Sequence, residues 1–155
     1  MHVQSDVCII GDGAIGKAAA LGFAQAGLKV ALLSPASAPV PAPKEDWDVR
    51  VYAVNHVAHA LLSSVKVWEA LDASRVAPVD AMVVNGDGAT AGELAFDAYG
   101  ARVGALAWIV EDRNLNQALD AALKFASNVK VIHGRASALQ ASDTAASVQL
   151  ANGDT

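Results

Sequence analysis

Three glycines follow the apolar run Val7–Ile10 in "VCIIGDGAIGKAAALGFAQAGLKVALLS" and precede an alanine-rich stretch. Gly11, Gly13 and Gly16 make G-x-G-x-x-G between a strand pattern and a helix pattern, the arrangement that holds a dinucleotide pyrophosphate. Gly11 permits the tight turn, Gly13 lets the backbone approach the ligand, and Gly16 lets helix and strand pack closely. Unpaired N–H groups and the positive end of the helix dipole then face the anion. Gly11, Gly13, Ala14, Ile15 and Gly16 are the candidate cofactor-binding residues of this turn. Asp12 is unfavourable to an anion there unless its side chain points to solvent or caps a local N–H. A glycine turn with no ligand is the plain alternative.

The elements that must position this turn read as a βαβ start. Val7–Ile10 is a buried-type strand, Ile15 to about Ala26 a helix stopped by Gly27, and "KVALL" (29–33) a second strand, parallel because a crossover helix joins them. Cys8, between Val7 and Ile9, is expected to be a small buried core residue. Four of the five prolines fall in "SPASAPVPAPKEDW" (34–47), an extended loop that is either a mobile cover or a surface connection. "DVRVYAV" then reads as a short strand or turn. The helix "NHVAHALLSSVKVWEAL" follows, with Asn55 as N-cap and Ala58, Leu61, Leu62 and Val65 inward. "AMVVNGDG", "GELAFDA" and "ALAWIVE" are strand-like, the first two around an Asn-Gly turn. Asp112 is read as the cap of "RNLNQALDAALKFA", with Leu115, Ala118, Leu119, Ala122 and Ala126 on one face. "VKVIHG", "ASALQA" and "ASVQLANGDT" read as three strands, the last ending in a hairpin-type Asn-Gly turn without a return strand. The sequence thus reads as a fold cut part-way.

The 155 residues suffice for one domain, and the hydrophobic fraction of 54% suits a packed α/β protein. The net charge of −5 comes from scattered acids and bases, without the clustered Lys and Arg of a nucleic-acid footprint. One cysteine excludes an internal disulfide. No apolar run reaches the roughly 20 residues of a membrane span, and the start lacks the pattern of a signal peptide, so a cytoplasmic location is expected. His56 and His59 stand one helical turn apart and could share a metal, but no third ligand is evident. No metal site and no catalytic residue is assigned, and His133, at a strand end, reads as structural.

Position 34, where the second strand ends, usually carries an acid that hydrogen-bonds the ribose hydroxyls. Here it is Ser34, which lacks the charge-assisted geometry of a carboxylate and forfeits about 1–3 kcal/mol of cofactor affinity. An uncharged residue suits the 2′-phosphate of NADP instead, but "SPASAPVP" offers no arginine for it.

The spacing Gly11, Gly13, Gly16, Ala20, Gly27, Val30 resembles the FAD-binding fingerprint of flavoprotein monooxygenases. Two further stretches narrow the resemblance. "DVRVYAVNHVAHALLSSVKVWEAL" resembles the Arg-x-x-Ala segment and following helix of ubiquinone-biosynthesis (UbiH-type) aromatic hydroxylases, and "LAWIVEDRNLNQAL" resembles their Glu-Asn-Arg segment. Order and spacing match from about Asp6 to Asp154.

The resemblance implies a Rossmann-like FAD-binding fold with inserted strands of a substrate-side sheet, to which about 80–110 contribute. Residues 1–155 would be the N-terminal part of the domain, its C-terminal half absent. It implies FAD as cofactor, NAD(P)H as reductant, O2 as oxidant, and hydroxylation of the ring of a polyprenyl aromatic substrate. Arg50 and Arg113 match family arginines near the cofactor, and Asp112 stands where Asn or Gln is usual. Plain alternatives are pairing of Arg50 with Glu45, Asp46 or Asp48, and a solvated Arg113. The family also implies a location peripheral to the inner membrane as an alternative, and ubiquinone-pathway enzymes as partners, while the exposed hydrophobic surface expected of a cut fold favours a homo-oligomer. Two other readings stay open: an NAD(P)-dependent Rossmann oxidoreductase, and a non-catalytic nucleotide-binding or partner-docking fragment.

Overall fold

The computed structural model describes residues 3–35, 46–88 and 91–154. The proline-rich positions 36–45, and with them Glu45 as a partner for Arg50, lie outside the described residues. The chain divides into two compact units, one of Met1–Asp46 with Asn116–Thr155 and one of Trp47–Leu115.

The first unit opens with β1 (Val7–Ile10), α1 (Ala14–Gln25) and β2 (Val30–Ser34). α1 stops where Gly27 takes φ +87°, a conformation that disfavours a Cβ. β2 is buried at all five residues, as the continuous run "VALLS" requires of a central strand. It pairs in parallel with β1 on one side and with a later strand of the unit, Val129–His133, on the other. Ala20, Val30 and Leu32 form the core here, with Ile9, Ala24, Leu123 and Val129 packed on it. Full burial of a side chain such as Leu32 contributes about 1.5–3 kcal/mol. Asn128 Nδ2 donates to the carbonyls of Ala24 (2.8 Å) and Leu28 (2.7 Å), which fixes the entry into β2.

Cys8 corrects the sequence reading, because it is exposed. β1 is the edge of its three-stranded sheet. Its burial alternates, so Ile9 packs on the core while Cys8 and Ile10 face away. Partial burial nevertheless pushes the Cys8 thiol above its ordinary value.

The second unit holds β3 (Val51–Val54), α2 (His56–Ser64), β4 (Val76–Val79), β5 (Ala81–Asn85), β6 (Glu93–Asp97) and β7 (Ala107–Glu111). β7 is the middle strand of an antiparallel sheet with β3 and β4. β4 escapes a sequence reading because it contains Pro78; a proline is tolerated there since β4 is an edge strand. β5 and β6 form a separate antiparallel ribbon, exposed at every residue.

Asn55 caps α2 as expected, its Oδ1 accepting from Ala58 N at 2.9 Å. The helix ends earlier than its pattern suggests. Lys66 takes φ +61°, and a 3-10 turn at Trp68–Ala70 follows. The inward face is carried by Leu62 and Val67, whereas Leu61 is 46% exposed.

α3 (Asp112–Leu123) begins in the second unit and continues into the first, where β8 (Val129–His133), β9 (Ala136–Ala141) and β10 (Ala146–Leu150) follow. Leu115, Ala118 and Leu119 are buried, as their spacing requires. β9 and β10 form an antiparallel hairpin. Among the described residues, no helix is long and apolar enough to cross a membrane.

Candidate functional site

The C-terminal ends of β1 and β2 lie side by side, with Ile10 opposite Leu33. Gly11 N donates to Leu33 O at 2.9 Å. Gly11 then turns the chain at φ +111°, a left-handed conformation that glycine adopts without penalty. Gly13 is the N-cap of α1, at φ −67° and ψ 174°, and no side chain caps the helix or places an acid in its first turn. The N–H groups of Ala14, Ile15 and Gly16 precede the first helical bond, Lys17 N to Gly13 O at 3.0 Å, and are the orphan donors of the helix start.

The two remaining glycines differ in what surrounds them. A Cβ on Gly16 would collide with the Gly11 carbonyl oxygen and come within 3.1 Å of its carbon. A Cβ on Gly13 would meet nothing within 4 Å. Gly16 is thus required by packing, while Gly13 leaves its side of the turn open. An open face, uncapped donors and a left-handed first glycine fit a pyrophosphate. Lys17 is 8% exposed, its Nζ held by Asp120 Oδ1 at 2.7 Å and Asn116 Oδ1 at 3.1 Å.

Ser34 ends β2 and is 6% exposed. Its hydroxyl donates to Asp12 Oδ2 at 2.5 Å. Asp12 is half-buried, and among the described residues its carboxylate is tied to the end of β2 rather than to a local N–H. Sequence reasoning missed this pair, although Asp12 lies two residues past the end of β1 and Ser34 is the last residue of the neighbouring β2. An open depression lined in part by Lys29, Val30, Asn128 and Lys130 lies at the opposite, N-terminal ends of β2 and β8.

Arg50 and Arg113 belong to the second unit, where one carboxylate brings their backbones together. Asp48 Oδ1 accepts from Arg50 N at 3.1 Å, and Asp48 Oδ2 from Arg113 N at 3.0 Å. These bonds, the one from Arg50 N foremost, hold Asp48 below its ordinary value of 3.8. Asp112 N donates to Arg50 O at 2.9 Å. Asp112 is thus the first residue of α3 rather than its cap, and the side chain serving that helix start is Asp48. The Asp112 carboxylate instead accepts from Tyr52 Oη at 2.8 Å, which holds the phenol above its ordinary value of 10. Asp48 is one of the partners the sequence suggests for Arg50, and it is reached through the backbone N–H, whereas Tyr52 has only its place two residues after Arg50 as a sequence signal.

His56 and His59 serve an aromatic cluster. His59 stacks on Trp108 with centroids 4.5 Å apart and meets Trp68 edge-on at 4.2 Å. His56 Nε2 lies 2.8 Å from Ala105 O. Arg75 bridges Glu111 at 3.0 Å and lies over the Trp47 ring at 4.4 Å.

No protein-family profile matches the chain. It is 32% identical, over 97% of its own length, to 3-demethoxyubiquinol 3-hydroxylase of Escherichia coli. The chain resembles a ubiquinol hydroxylase. It spans 38% of that relative. Among solved structures, p-nitrophenol 4-monooxygenase from Pseudomonas putida matches with a TM-score of 0.71 and 17% identity, over 99% of this chain and 38% of that one. The flavin-dependent monooxygenase PieE, in complex with FAD and substrate, matches with a TM-score of 0.69 and 15% identity, over 96% of this chain and 27% of that one. These likenesses establish a mixed α/β fold, with parallel and antiparallel sheets, shared with part of those monooxygenases.

Proposed function

We propose that the chain is the FAD-binding part of a flavin monooxygenase that hydroxylates the aromatic ring of a polyprenylated ubiquinone precursor, with NAD(P)H as reductant and O2 as oxidant. The observation that carries the reading is the glycine turn, with Gly11 left-handed, Gly13 open and Gly16 packed on the Gly11 carbonyl. The likeness to a ubiquinol hydroxylase, over 97% of this chain and 38% of that protein, supports the substrate class.

In this reading the fold around the turn is Rossmann-like, and the N–H groups of Ala14, Ile15 and Gly16 receive the pyrophosphate. Gly11 and Gly13 keep the backbone close enough for that contact. Arg50 and Arg113, whose backbones Asp48 ties together within the second unit, are the two arginines that the family resemblance assigns to the cofactor. When bound, FAD supplies the redox and oxygen chemistry. The exposed β5–β6 ribbon, with Met82, Val83, Val84, Leu94 and Phe96 on its surface, belongs to the substrate-side sheet. The reaction itself belongs to the longer protein of which this chain matches a part.

The test is flavin retention. The purified chain is mixed with FAD, passed through gel filtration and examined for visible flavin absorption. Co-elution supports the reading. Absence of saturable FAD binding in a fluorescence titration up to about 1 mM, weaker than −4 kcal/mol, overturns it.

A further inference from the structure

We infer that Asp12, held in place by Ser34, supplies the carboxylate that receives the adenosine ribose hydroxyls, so that the acid usually found at the end of the second strand comes from the glycine turn instead. This rests on the FAD reading above and names the group that does its ribose recognition. Dinucleotide sites of this kind place a carboxylate about 20 residues beyond the glycines, at the end of the second strand. That position here is Ser34, which cannot bring a charge. A carboxylate is nonetheless there, because Asp12 Oδ2 accepts the Ser34 hydroxyl proton at 2.5 Å.

The register explains how it arrives. Ile10 lies opposite Leu33 and Gly11 N bonds Leu33 O, so the next residue of the turn emerges beside the end of β2. Ser34 Oγ has one proton to give, and Pro35 O, at 3.3 Å, is the weaker acceptor. That proton occupies one lone pair of one Asp12 oxygen; the other oxygen keeps its acceptor capacity for a ligand hydroxyl. Asp12 is half-buried rather than covered. Two ribose hydroxyls are donors that match an acceptor-only group, whereas a 2′-phosphate meets a like charge. The same tie resolves the conflict of an acid in a phosphate-binding turn, since the charge is committed to the end of β2.

The chain is titrated with FAD, ADP, 2′,3′-dideoxy-ADP and 2′-phosphorylated ADP by calorimetry. The unaltered chain is expected to prefer ADP over both analogues by about tenfold or more, the scale of one charge-assisted hydrogen bond. Asp12→Asn, whose amide oxygen can still accept one neutral hydrogen bond, is expected to keep only a small part of that preference. The double variant Asp12→Gly with Ser34→Glu, which returns the acid to the strand end, is expected to restore the preference. Retention of the full ribose preference by a folded Asp12→Asn overturns the assignment while leaving FAD binding standing. It is also overturned if the double variant binds ADP without that preference. If the unaltered chain binds neither FAD nor ADP, the FAD reading falls and this assignment with it.

Discussion

Gly13 and Gly16 belong to one motif, yet alanine at each should fail differently. At Gly16 the new methyl group would collide with the Gly11 carbonyl oxygen and lie 3.5 Å from Ile9 Cγ2. The colliding atom is backbone at the end of β1, so helix and strand must separate. Overpacking of this kind costs about 1–3 kcal/mol or more, and the gain of alanine over glycine in a helix, about 1 kcal/mol, offsets only part of it. A net loss of about 1–2 kcal/mol lowers Tm by roughly 2–8 °C in a chain of this size. At Gly13 the methyl group meets nothing within 4 Å, and φ −67° is open to any residue. The stiffer unfolded chain contributes about 0.4–1 kcal/mol, which the poorer N-cap preference of alanine cancels to within about 0.5 kcal/mol. That methyl group does, however, project into the space assigned to the pyrophosphate. FAD affinity should fall tenfold or more, about 1.4 kcal/mol, with Tm unchanged. Thermal melts followed by circular dichroism, paired with FAD titrations of both variants, separate the two. The reasoning is refuted if Gly13→Ala binds FAD like the unaltered chain, or if Gly16→Ala melts with it.

Two further outcomes follow from the second unit. Asp48 has a depressed value when folded, so its contribution is present above the ordinary 3.8 and is lost as pH falls from there through the folded value. Asp48→Asn should lower stability by about 0.5–1 kcal/mol at neutral pH, the screened end of a capping contact, and the gap to the unaltered chain should close below pH 3.8 in urea titrations. His59→Ala removes ring contacts to both Trp68 and Trp108 and should cost about 1–3 kcal/mol, with a changed tryptophan emission; unchanged emission would place His59 outside the cluster.

The strand–turn–helix–strand start was legible because each of its signals is local. A glycine at positive φ, a short apolar run and an alanine-rich helix announce themselves within about twenty residues. Other features depended on where an element ends up. "VCII" reads as buried, but on an edge strand half of it faces away, so Cys8 is exposed. "VAPV" reads as no strand because of Pro78, yet an edge tolerates the missing donor. The α2 pattern runs on past Ser64, but Lys66 turns left-handed and moves the buried position to Val67.

The same distinction governs the site. The substitution at Ser34 was visible as the loss of an acid, and Asp12 as an acid in an unwelcome place. Each is unfavourable when considered by itself: a neutral residue where a carboxylate belongs, and a charge beside a phosphate-binding helix start. Only the parallel register that sets Ile10 opposite Leu33 turns two defects into one hydrogen-bonded pair. Their separation of 22 residues in sequence exceeds any local pattern. A motif read along the chain asks which residue type stands at a position, whereas a ligand responds to which charge stands in a volume. By that criterion the strand-end carboxylate of this chain is displaced rather than absent.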